Sequence, residues 1–164
     1  LQPELTECER MIEFLLWNSK YTLFGQYNLI YLALMFSGKI NRLYKKNEFE
    51  IESILKKCRN QAWDLTYLSL WSIHHWDDKP GEEIWLFATM DKSLKKIFSY
   101  THDPSKNIFR DCFGRHDGNL LESKLKTIQD DRKKPIINKE KIRKIINAEK
   151  LILEKTIKTF KTNQ

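Results

Sequence analysis

Apolar residues recur at helical spacing along most of this chain. Thr6 stands three residues before Glu9, the pattern of a capping box, and predicts a helix with Met11, Ile12, Leu15 and Leu16 on one face. A second helix is expected from Tyr21 to Phe36, stopping near Gly38. A third runs from about Glu48 to Ile73, where Ile51, Ile54, Leu55, Cys58, Ala62, Leu65 and Leu68 share a period. The polar turn Asp77-Asp78-Lys79-Pro80-Gly81 follows. Ile84 to Thr89 is then a short apolar run between turn signals and reads as a strand buried on both faces. Lys92 to Tyr100 returns to the helical period, and Thr101 to Asn119 reads as loop. After Pro135 a last amphipathic helix, roughly Lys139 to Phe160, sets Ile142, Ile145, Ile146, Ile152, Leu153, Ile157 and Phe160 on one side.

A length of 164 residues suits one domain able to bury a core, and the 41% hydrophobic content excludes wholesale disorder. The uncharged stretch Tyr21–Gly38 approaches a membrane span in length, but Gln26, Asn28 and several hydroxyls fit a buried core helix better. Cys8, Cys58 and Cys112 form no CxxC pair, which argues for reduced thiols and a cytoplasmic home. The net charge of +7 sits in one place. Residues 132–164 carry eleven Lys and Arg against three Glu, so the tail holds the excess and the body is close to neutral. Such a stripe suits a phosphate backbone, although a solvated helix face has the same composition. The expected organisation is a domain over 1–131 and a basic helical extension over 132–164.

Two acids stand in unusual settings. Asp64 interrupts an apolar helix, and Asp91 follows the expected strand in the run Thr89-Met90-Asp91-Lys92-Ser93-Leu94. An acid at the carboxyl end of a strand is well placed for a site, and it is equally well placed to cap the next helix. The order Thr6-x-x-Glu9, Asp64 on a core helix, and a strand ending Thr-x-Asp-Lys-x-Leu resembles PIN-domain (VapC-like) ribonucleases over roughly residues 3–100. That family begins with a further strand ending in an Asp, which has no counterpart before Thr6. The chain opens with Leu1, so either that strand has been cut away or the site lacks one acid.

The resemblance implies an α/β fold with a small parallel sheet surrounded by helices. It also implies a metal-dependent endoribonuclease of the kind found as toxins in toxin–antitoxin pairs. Glu9, Asp64 and Asp91 would hold Mg²⁺ or Mn²⁺, because grouped carboxylates need a cation and hard ions prefer oxygen. A metal-bound water would attack phosphorus. Asn60, one turn before Asp64, together with Thr89 and Lys92, would support the acids or the phosphate. RNA is the expected partner, with a protein inhibitor or a second copy as further partners and no membrane. The alternative is a PIN-like module that binds nucleic acid or protein without cutting.

Other pairs compete. Adjacent His74 and His75 point in different directions on a helix and rarely share an ion. His102-Asp103 and His116-Asp117 read as loop residues. Arg110 and His116, with five residues between them in an Arg-x₅-His pattern followed by Asp117, resemble in spacing the motif of HEPN ribonucleases, which are all-helical and metal-independent. Gly114 within the pattern and the loop-like composition around it argue against that reading.

Overall fold

The computed structural model describes residues 5–21, 25–41, 50–77, 87–103, 105–131 and 138–162, except the side chains of 74–77 and 160–162. Six helices appear in that description: α1 (Glu7–Tyr21), α2 (Gln26–Phe36), α3 (Ile51–Asp77), α4 (Lys92–His102), α5 (Ile108–Asp131) and α6 (Lys139–Thr162). No described residue lies in a β-strand. The α/β expectation is therefore corrected to an all-α fold, and the sheet that a PIN domain requires is not there among the described residues. The expected strand Ile84–Thr89 falls partly outside the description. Its visible part, Phe87 to Thr89, is irregular chain leading into α4. Phe87 lodges instead against Trp71 of α3, with ring centroids 5.7 Å apart. A short apolar run looks the same whether it pairs in a sheet or wedges against helices, and no second strand signal exists here to pair with it.

The helix that organises the rest is α2. It has no charged residue, and every position from Leu29 to Phe36 is buried or half-buried. A helix apolar on all sides must be covered on all sides. Here α2 packs against α1, α3, α4 and α5. Two clusters result. Tyr27, Ile30, Tyr31 and Leu34 join Leu65 and Leu68 of α3 and Leu94 and Ile97 of α4. On the other flank Leu29 and Ala33 meet Cys8, Met11 and Leu15 of α1 and Phe109 and Leu121 of α5. A Schellman turn ends α2: Lys39 N–H donates to the Leu34 carbonyl at 2.8 Å and Gly38 N–H to that of Met35 at 3.2 Å.

The helix start at Thr6 is as the spacing predicts. Thr6 N–H and Oγ1 both donate to Glu9 Oε2 at 2.8 Å, and Glu9 N–H returns to Thr6 Oγ1. Leu16, expected in the core, is 54% exposed. The last helix is also where expected, but Ile142, Ile146 and Ile152 face solvent while Ile157 is buried. Trp17 Nε1–H donates to Glu149 at 2.8 Å, and Lys150 pairs with Glu52 at 3.3 Å, two exposed contacts that link α6 to α1 and α3.

Leu34 has no exposed surface and sits where α2 meets α3 and α4, so Leu34→Ala should lower unfolding free energy by about 2–5 kcal/mol. Ile142→Ala, on the exposed side of α6, should change it by less than about 0.5 kcal/mol. Urea melts of the two variants check this, and equal losses would contradict the assigned core.

Candidate functional site

The acids expected to share a metal occupy three different roles. Glu9 is fully exposed and engaged in the capping box, and hydrogen bonds from the Thr6 backbone and then its side chain hold its carboxyl below the usual range. Asp91 is the N-cap of α4. Its carboxylate accepts from Ser93 N–H at 2.6 Å and Leu94 N–H at 3.4 Å, and Thr89 Oγ1 accepts from Asp91 N–H at 3.1 Å. Thr-x-Asp thus builds a helix start here. Asp64 is half-buried on α3, where burial first and the Asp91 charge second raise its carboxyl. The structure accordingly brings Asp64 within electrostatic reach of Asp91 but gathers no metal-holding group of three His, Cys, Asp or Glu among the described residues. Asn60 and Lys92 are exposed and Thr89 is half-buried. The side chains of His74, His75 and Asp77, and all of Asp78, lie outside the description. His102 stacks on Phe98 with centroids 3.7 Å apart and bonds to Thr101, a packed helix-end residue.

The segment expected to be loop, Thr101 to Asn119, instead contains the most elaborate polar network in the description. It continues α4 to His102 and then enters α5, which bends sharply at Gly114. There φ is 79° and ψ 175°, a conformation that strains any residue with a Cβ. Residues eight apart on a straight helix stand about 12 Å from each other. Here a Cβ added at Gly118 would lie 2.7 Å from both the Cα and the N of Arg110. The second limb, 115–131, therefore folds back onto the first, 108–113, and only a glycine permits the contact.

Side chains lock the corner. Asn107 caps the first limb by accepting from Arg110 N–H at 2.9 Å, and its amide donates to Glu122. Arg110 Nε–H donates to Asn119 Oδ1 at 2.9 Å, and its Nη2 pairs with Glu122 at 3.3 Å. The guanidinium is 53% exposed, and its other N–H groups meet no acceptor among the described residues. His116 stands one turn before Asn119 on the second limb and is exposed. Asp117 faces the other way, toward α1. There the buried Cys8 thiol is pushed up by burial first, then by the charges of Asp117 and Glu9. Asp111 meets Tyr100, whose hydroxyl is pushed up to about 12 by burial, then by the charge and hydrogen bond of Asp111. The sequence signal for this corner was the Arg-x₅-His spacing, masked by Gly114, which marks a bend between two helical limbs rather than a loop.

Comparison with family models, with curated proteins and with solved structures found no match. With no sheet among the described residues and no family model to support it, the PIN resemblance is withdrawn, and with it the reading of the chain as a toxin of that family. Among the described residues no helix is long and apolar enough to cross a membrane, in line with reading Tyr21–Gly38 as core.

Two outcomes test this geometry. Gly118→Ala should destabilise the fold by roughly 1–3 kcal/mol, because the backbone of Arg110 cannot yield as a side chain would. A melt superimposable on that of the unaltered protein would contradict the close approach. For Asp64, a raised carboxyl pKa means that the native state favours the protonated form. The penalty is absent below the unfolded value and fully present above the folded one. Asp64→Asn should therefore raise the melting temperature at neutral pH, with the gain vanishing as pH falls through about 4. A lowered melting temperature at neutral pH would contradict it.

Proposed function

We propose that the protein is a metal-independent endoribonuclease whose reaction is carried by Arg110 and His116. The observation that carries this reading is the corner of α5, where a half-exposed guanidinium on the first limb is pinned by Asn119 and Glu122 of the second, the limb that also carries the exposed His116 one turn before Asn119. The all-helical architecture and the Arg-x₅-His spacing support the same reading, since both resemble HEPN ribonucleases.

The chemistry follows from the residue types. With no activated water required, the nucleophile is the ribose 2′-hydroxyl adjacent to the scissile phosphate, already held beside it by the sugar. Neutral His116 accepts the 2′-hydroxyl proton as the 2′-oxygen bonds to phosphorus. Arg110 donates its free N–H groups to the phosphoryl oxygens, whose negative charge grows in the transition state. The bond to the 5′-oxygen then breaks and that oxygen takes up a proton from water, while His116 releases its proton to solvent, leaving a 2′,3′-cyclic phosphate and a 5′-hydroxyl. Asn119 and Glu122 hold the guanidinium still, so that its donors stay aimed without reorganisation.

Single-stranded RNA incubated with the full chain in excess EDTA should be cut, and the same sequence as DNA should not, because it lacks the 2′-hydroxyl. His116→Ala and Arg110→Gln should each reduce the rate about a hundredfold or more, with unchanged helical circular dichroism for the exposed His116. Cleavage that stops in EDTA and disappears in Asp91→Asn while surviving in His116→Ala would overturn the proposal and return the activity to the acids.

A further inference from the structure

The longest helix carries a face that the fold does not use. On α3 the core side is formed by Ile54, Leu65 and Leu68. Lys56, Arg59, Asn60, Trp63, Tyr67 and Leu70 fall on the opposite side, within an arc of about 100° at 3.6 residues per turn. All six are exposed, Trp63 at 55% and Tyr67 at 57%. The two rings stack on each other, with centroids 5.8 Å apart and planes inclined by 27°. Aromatic rings of this size are ordinarily buried.

The cations decide what the face suits. Lys56 and Arg59 stand one to two turns before the ring pair, and neither has an ion-pair partner among the described residues. At the start of the same helix, the Lys150–Glu52 pair holds α6 alongside, within the segment that carries the chain's positive excess. The face combines two cations, an amide, two flat π surfaces and a single aliphatic residue, Leu70. A single-stranded nucleic acid offers the complement, with phosphates for the cations and unpaired bases for the rings.

We infer that the solvent face of α3 is a stacking platform for single-stranded RNA, with Trp63 and Tyr67 taking bases and Lys56 and Arg59 taking phosphates. The inference rests on the reading of the chain as a ribonuclease for its choice of RNA, and it assigns that substrate a binding surface apart from Arg110 and His116.

The test is fluorescence anisotropy of the full chain with an end-labelled single-stranded oligonucleotide made of 2′-O-methyl nucleotides, which offer no free 2′-hydroxyl. The double variant Trp63→Ala, Tyr67→Ala should bind roughly tenfold or more weakly, and Trp63→Phe should keep most of the affinity. Abasic oligonucleotide of the same length should bind the unaltered protein about as weakly as the intact oligonucleotide binds the double variant. Both rings are exposed, so the variants should keep the parent melting temperature. Equal affinity for intact and abasic oligonucleotide, or undiminished binding by the double variant, overturns the platform. So does a change from dimer to monomer in the double variant with unaltered affinity, which would make the face an interface between copies. Weakened binding by a double variant that still cleaves at saturating RNA supports the platform. Ring-dependent binding by a protein that cuts no RNA also supports it, and sinks only the catalytic proposal.

Discussion

Burial of α2 on every side is the constraint on which the other elements depend. A helix from Leu29 to Phe36 without a polar face cannot end a bundle or line its surface. Four helices must cover it, and α1, α3, α4 and α5 do so. Their apolar stripes then need only one turn-spaced row each, supplied by Met11 and Leu15, Leu65 and Leu68, and Leu94 and Ile97, all buried. The two flanks of α2 form separate clusters, bridged by the half-buried Leu32, Ile108 and Cys112 that touch both.

The second constraint follows from the first. To cover α2 on the α1 side, α5 must turn back within a few residues, so that Phe109 and Leu121 enter the same cluster from two limbs. Two glycines make this possible, Gly114 by its backbone angles and Gly118 by its missing Cβ. The turn leaves polar side chains from both limbs facing one another, and Arg110 finds its acceptors on the returning limb. The polar corner is thus a consequence of packing. The same helices that hide α2 leave the far face of α3 unused, which frees Trp63 and Tyr67 for solvent.

Helix positions were largely legible in the sequence because a 3.6-residue period is a local signal. The Thr6–Glu9 box, the core role of α2 and the start of α6 at Lys139 were all readable in this way. The expected sheet is absent among the described residues, and a single apolar run carries no information about a partner strand. Phe87 shows the alternative use of such a run, as a plug against Trp71. Asp91 was ambiguous in the sequence for a related reason. An N-cap and a catalytic acid both prefer a carboxylate just before a helix, and only the bonds to Ser93 and Leu94 show which hydrogen-bonding role the side chain fills. The α5 corner was half legible. The Arg-x₅-His spacing was visible, but glycine signals a loop and a sharp helical bend alike. The exposure of Trp63 and Tyr67 on α3, opposite the apolar row, is seen only in the structure.

The central claim is that RNA meets this protein at the corner between the two limbs of α5. Nuclear magnetic resonance of ¹⁵N-labelled protein titrated with the 2′-O-methyl oligonucleotide addresses it most directly. The account predicts progressive shifts of the amides from Asn107 to Glu122 and of the Arg110 Nε–H, which now donates to Asn119. A titration that reaches saturation with those signals unmoved would contradict it.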